Sequence, residues 1–383
     1  MAKNIVFCAD GTWNSPDEDQ DDDHTPDPTN VYKLFLCLDG ALTVDSLRLG
    51  DEQEKVLEQG GATVQVAKYI HGVGDSRNPI KKVLGGAFGA GVIARVVRGY
   101  TFISRNYVAG DRIYITGFSR GAYTARALGG LIASQGLLAP ALTVDKEKAY
   151  RHGAEAWYRY RKQSDMKPSW LARLAEVASN LPAFLSSGSL AAKDLVPIDH
   201  IAAVAVWDTV GALGLPEFND DGRVDAFRFI DTRLSKKVGQ GIHAVALDER
   251  RVDFTPTLWD AAPNVLQVAF PGAHADVGGG YPIKDGQSGL SDGALAWMIA
   301  QLGAVGVNFA AAPGYVARPD AGGVAHQPWA HVPWNVPKVK LGPRTLPPGC
   351  AIHPSVTARK ALAAVVAEPG TPAAPYRPEN LPA

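Results

Sequence analysis

Five short, largely apolar runs, each closed by turn-forming residues, constrain this chain more than any other feature. They are NIVFCA at 4–9, TVQVAKYI at 63–70, DRIYITGF at 111–118, HIAAVAVW at 200–207 and NVLQVAF at 264–270. Apolar and β-branched runs of this length, bounded by turns, read as buried strands. The stretches between them, around 30–38, 81–107, 122–135, 226–243 and 292–302, carry helical patterns. Strands that alternate with helices predict an α/β fold, a mainly parallel sheet with helices on both faces. In such a sheet, sites form beyond the C-terminal ends of the strands.

Composition narrows the function classes. Apolar residues make up 46% and charged residues 20%, enough to bury a large core. The 38 Lys and Arg nearly balance 39 Asp and Glu, which leaves no electrostatic case for nucleic acid or for an anionic membrane. Cys8, Cys37 and Cys350 are odd in number and far apart, so neither a disulfide framework nor a four-ligand zinc site is expected. The N-terminal apolar run is too short for a secretory signal, and VLGGAFGAGVIARVV, interrupted by Arg95, is too short to span a bilayer. The expected product is cytoplasmic as synthesised.

One large domain over 1–360 is expected, followed by a loosely packed Pro/Ala-rich tail at 361–383. Within it, 164–197 reads as a helical insertion, with Trp170, Leu171, Leu174, Val177 and Leu181 at helical spacing. That stripe is either a lid over an apolar site or ordinary packing against the core. The acidic run DEDQDDDH at 17–24 lacks the glycine turn and terminal glutamate of an EF-hand and is assigned to a solvated loop without metal.

The pattern G-x-S-x-G occurs twice, around Ser119 and around Ser291. A serine nucleophile needs a sharp strand-to-helix turn, with small residues two positions to either side. Ser119 has the strand DRIYITGF before it, the helical AYTARALGGLIA after it, and Gly117 and Gly121 as neighbours. Ser291 follows loop-like sequence and opens SDGALAWMIAQL, so it reads as a helix N-cap.

A serine hydroxyl needs a histidine base held by a carboxylate. Asp208 follows the strand at 200–207, and His274, in the glycine-rich AFPGAHADVGGGY, follows the strand at 264–270. The order Ser119, Asp208, His274 is that of α/β-hydrolases. His71 precedes the serine, His243 falls on an expected helix-to-strand connection, and His353 lies after Pro-rich sequence. Each of these candidate residues has a bland reading too: Asp208 as a turn aspartate, Ser119 as a turn serine, His274 as a structural histidine. Oxyanion donors are expected from the backbone N–H of Arg120 and of Gly11 or Thr12. Asp10 and Asp276 are assigned supporting roles, Asp276 fixing the loop of His274. A metal held by His274 and Asp276 with Asp10 or Asp208 is the competing chemistry, without a second histidine at ligand spacing to support it.

Taken together, CADGTWN, YIHGVGD, GFSRGAYTAR, VWDTVGALG, HAVALDERR with FTPTLW, FPGAHADVGGGY, LSDGALAWM and IHPSV resemble a known family. It is the α/β-hydrolase family that includes the catalytic domain of type VI secretion phospholipase effectors. The resemblance runs from about residue 3 to about residue 358. It implies an α/β-hydrolase-like domain and a serine lipase or phospholipase that uses Ser119, Asp208 and His274 and needs no cofactor. It also implies export by type VI secretion without a signal peptide, transient membrane contact and an accompanying immunity protein. A hydrolase of a soluble ester, and a non-catalytic ligand-binding scaffold of the same fold, are the alternatives.

Overall fold

The computed structural model describes residues 2–11, 17, 19, 24–46, 52–72, 87–163, 190–210, 232–332, 334–337, 339–347 and 350–381. All five expected strands form: β1 (Asn4–Ala9), β4 (Ala62–Ile70), β5 (Arg112–Phe118), β8 (Ile201–Trp207) and β10 (Val265–Phe270). Joined by β2 (Ala41–Leu42), β3 (Glu52–Gln59), β9 (Val238–Ala246) and β11 (Ala351–Ile352), they make a sheet in the order β11-β10-β9-β8-β5-β1-β4-β3-β2. Pairing is parallel from β11 to β4 and antiparallel at β3 and β2. A small separate ribbon pairs β6 (Leu137–Leu138) with β7 (Leu195–Val196).

Alternation along β1 shows why both faces must be covered. Ile5, Phe7 and Ala9 enter one core with Val96, Val97, Tyr100, Leu128 and Trp157, from α2 (Ala87–Asn106), α3 (Arg120–Gln135) and α4 (Lys146–Gln163). Val6 and Cys8 enter a second core with Val31, Leu34, Leu295 and Met298, from α1 (Asn30–Cys37) and α6 (Gly289–Ala304). Every residue of β1 and β8 is buried, as expected for central strands buried on both faces. The fold is therefore α/β, with the sheet between two helical layers and an α/β-hydrolase-like placement of β5 between β1 and β8.

Two expectations differ from the structure. The helix expected at 226–243 is replaced over its last part by β9, where VGQGIHAVA runs between β8 and β10, and its earlier residues up to 231 fall outside the described ones. Glycine at 239 and 241 disfavours a helix. A Cβ at Gly239 would also lie 2.6 Å from the His200 ring. Second, α6 begins at Gly289, so Ser291 lies in its first turn and donates to Ser288 O at 2.9 Å instead of capping it. β3 adds a strand where no element was expected, in spite of its charge. Lys68 of β4 reaches Glu52 at 2.8 Å and Glu54 at 3.0 Å across the pair, which satisfies the carboxylates at the sheet edge.

The Pro/Ala-rich stretch expected to pack loosely is mostly exposed and is tied at a few points. Val365 bridges Ala374, the Tyr376 hydroxyl donates to Asp248 Oδ2 at 2.7 Å, and Asn380 Nδ2 donates to Leu247 O at 2.6 Å. Prolines remove backbone donors but leave side chains free to bond, so an irregular chain can still be held. The expected insertion at 164–197 lies outside the described residues up to 189, and with it the stripe from Trp170 to Leu181.

Candidate active site

Ser119 is the single residue between β5 and α3. Its backbone sits at φ 56° and ψ −120°, a conformation that costs a non-glycine residue about 1–3 kcal/mol. The turn is held because Ser119 N donates to Trp207 O at 3.1 Å and because its flanks are bare. A Cβ at Gly117 would lie 2.3 Å from Gly121 O, and one at Gly121 would lie 2.0 Å from Ala9 O. Both glycines are required by close backbone approach. The Ser119 side chain makes no capping bond to α3, which leaves its hydroxyl for another partner.

That partner is His274, the first residue of α5 (His274–Gly278), which follows β10 through Pro271, Gly272 and Ala273. His274 Nε2 lies 2.9 Å from Ser119 Oγ, and Nδ1 lies 2.6 Å from Asp208 Oδ2. With a carboxylate on Nδ1, the neutral ring carries its proton there and accepts the serine hydroxyl at Nε2. The three residues come from the C-terminal ends of β5, β8 and β10, where residues 155 and 66 apart in sequence converge. Ser119 and His274 are each 7% exposed and Asp208 is fully buried. The Phe118 and Phe254 rings pack on the imidazole at centroid separations of 4.6 and 5.1 Å. Burial pulls the His274 imidazole below its ordinary value, although the bond and charge of Asp208 oppose that shift.

Asp208 also lies in the left-handed region, at φ 32°. Its carboxylate accepts from Ala246 N at 2.9 Å and from both terminal nitrogens of Arg344, at 2.6 and 2.9 Å. Arg344 itself donates to Ala246 O at 2.7 Å and Phe254 O at 2.6 Å. Burial pushes the Asp208 carboxyl up, but the Arg344 guanidinium and the His274 bond outweigh it and hold the group well below the usual carboxylate range. Sequence reasoning missed Arg344, since 310–349 is Pro/Gly/Ala-rich without periodicity and gives no register from which a side chain could be aimed. It also missed Glu249, whose Oε2 accepts from His274 N at 3.2 Å while its carboxylate is gripped by Arg251.

The supporting residues are placed as follows. Asp276 accepts from Ala273 N, in the turn that carries His274, at 2.8 Å and faces His326 Nδ1 at 2.7 Å. Asp10, at the end of β1, is fully buried and accepts from Tyr69 at 2.7 Å and Thr29 at 2.8 Å. Burial pushes its carboxyl up to about 6. Gly11 N donates to Asp10 Oδ1 at 2.7 Å, so that donor is engaged within its own turn. Thr12 lies outside the described residues, and Arg120 N opens α3 directly after Ser119.

Of the other histidines, His243 lies in the middle of β9, where burial pulls it down to about 3 and it accepts from Thr209 N at 3.1 Å. His353 caps α7 (Pro354–Ala361). The expectation for His243 on a connection is thus corrected to a strand interior. Asp276 and His274 turn to different partners. Among the described residues no three His, Cys, Asp or Glu side chains gather as a metal would need. No described helix is long and apolar enough to cross a membrane.

A family model for type VI secretion, phospholipase effector Tle1-like, catalytic domain, matches residues 3–301. The uncharacterized protein YEL023C of Saccharomyces cerevisiae is 27% identical over 278 residues, which cover 69% of this chain and 33% of that protein. Among solved structures, an uncharacterized protein from Pseudomonas aeruginosa aligns at 19% identity and a TM-score of 0.45, over 80% of this chain and 46% of that one. The Tle1 effector bound to the VgrG spike from the type 6 secretion system aligns at 17% identity and a TM-score of 0.38, over 74% of this chain and 52% of that one. The chain thus spans 33% of the yeast relative and 46% and 52% of the two solved chains.

Proposed function

The chain belongs, through its catalytic domain, to the Tle1-like phospholipase effector family of type VI secretion, and from that premise we propose that it hydrolyses acyl ester bonds of lipids by an acyl-enzyme route. The observation that carries the reading is the unbroken line of hydrogen bonds from Asp208 through His274 to Ser119, set on a strained strand-to-helix turn. Burial makes the line effective, since a buried imidazole is kept neutral and ready to accept a proton.

In the first step Ser119 Oγ attacks the ester carbonyl while its proton moves to His274 Nε2. Asp208 keeps the Nδ1 proton in place and stabilises the imidazolium. The negative charge that develops on the carbonyl oxygen meets the N-terminal end of α3, where the Arg120 N–H is the first donor. A second donor belongs to the turn after Asp10, where Thr12 is the candidate, because Gly11 N is engaged by Asp10. His274 then protonates the leaving alcohol, and water, deprotonated by the same histidine, releases the acyl group.

As a member of an effector family, the protein is proposed to be exported by the type VI route, to meet a target membrane transiently and to be countered by an immunity protein. The test is hydrolysis of a panel of phospholipids and short-chain esters by the wild type and by Ser119→Ala, with fluorophosphonate labelling alongside. Labelling at Ser119 and loss of hydrolysis in the variant are expected. Hydrolysis retained by Ser119→Ala would sink the assignment, and activity confined to soluble esters would replace the lipid with a soluble substrate.

A further inference from the structure

The acid of the Ser119 line is not held as its neighbours in sequence would hold it. Its second lone-pair positions are filled by a guanidinium that arrives 136 residues later, from beyond the stretch matched by the family model. We propose that Arg344 is a positioning residue that clamps Asp208 and sets the pH at which the Asp208–His274 pair takes up a proton. This rests on the role given to Ser119, Asp208 and His274 above.

Two features of Arg344 support this assignment. Its fork meets both oxygens of one carboxylate, a geometry that fixes the plane of the acid as well as its place. The same guanidinium holds Ala246 O at the end of β9 and Phe254 O, whose ring packs edge-on against His274. One side chain thereby couples the acid, the strand end and one wall of the imidazole. Asp208 needs such support, because its backbone sits at φ 32° and its carboxylate is fully buried.

The charge of Arg344 acts on the pair as a whole. Whichever atom of the pair accepts the proton, a fixed cation beside it makes uptake harder. Loss of that cation must therefore raise the pH at which the pair is protonated. The remaining charged groups around the pair do not duplicate its effect. Glu249 and Arg251, after β9, are paired with each other at 2.7 Å. His243 in β9 is buried and neutral, and Arg126 of α3 is directed to Thr257 O.

The test is the pH dependence of kcat/KM on a soluble short-chain ester for the wild type, Arg344→Gln and Arg344→Lys. Removing the charge in Arg344→Gln should move the acidic midpoint up by about one pH unit, with kcat lowered about 10- to 100-fold. Arg344→Lys keeps the cation and loses the fork, so its midpoint should stay at the wild-type value while kcat falls. An unchanged midpoint in folded Arg344→Gln overturns the proposal. If that variant does not fold, Arg344→Lys carries the test, and wild-type kcat there overturns it. Fluorophosphonate labelling of each variant separates the two layers: a wild type that never labels at Ser119 refutes the hydrolase reading itself, whatever the midpoints do.

Discussion

Two buried Asp–His pairs share the short helix α5, which supplies the histidine of one and the aspartate of the other, and they are nearly the same object. Asp208 meets His274 at 2.6 Å and Asp276 meets His326 at 2.7 Å, each through Nδ1 and each with its histidine 7% exposed. What differs is the atom at the far nitrogen. His274 Nε2 faces a serine hydroxyl on a strained turn, whereas His326 Nε2 faces the Gln287 amide oxygen at 3.2 Å and its ring is stacked under Tyr281. An Asp–His pair is a common way to satisfy buried polar groups. It becomes a candidate for catalysis only where a nucleophile is presented to it.

Substitutions should separate the two pairs. The largest expected effect is that of Ser119→Ala, a loss of about 10³- to 10⁶-fold in kcat on a soluble ester with the fold intact by circular dichroism. Next is Asp208→Asn, which would hold the wrong histidine tautomer and lower kcat about 10³- to 10⁴-fold. Asp276→Asn, the matching change in the second pair, should cost less than about 10-fold in kcat. It should instead lower stability by about 1–3 kcal/mol in urea unfolding. Equal losses of activity in the two variants would make the two pairs functionally equivalent.

A smaller effect concerns pH. His274 must be neutral to take the serine proton, and burial has lowered its protonation point, so the acidic limb of kcat/KM should have its midpoint below 6.5. Smallest of all, His326→Gln should leave that midpoint in place, which a pH–rate profile would show directly. The sign for stability differs between acid and base. Asp208, held low in the folded protein, stabilises it above the ordinary carboxylate range, and that contribution is lost as pH falls through its lowered value. His274, also lowered, withdraws stability once pH falls below the unfolded histidine value of 6.5.

Much of this site could be read from the sequence because its parts follow strands that announce themselves. β5, β8 and β10 are apolar and β-branched, and Ser119, Asp208 and His274 each come just past such a run. β9 was hidden, since Gly239, Gln240 and Gly241 dilute the strand signal and only its flanking strands make VGQGIHAVA extended. β3 was hidden by charges that the partner strand neutralises. Arg344 and His326 were beyond reach for a different reason. They act by side chains from irregular backbone, and a segment without a period leaves no way to tell which residue points inward.

Asp208 emerges from the ribosome 136 residues before the arginine that grips it. At about 5–20 residues per second, that interval lasts roughly 7–27 s. Over the part of it that follows His274, nucleophile, base and acid have all been synthesised, yet the acid has no guanidinium partner. The line from Asp208 to Ser119 thus receives its guanidinium clamp only after the groups that the clamp grips, in Asp208, Ala246 and Phe254, have been made.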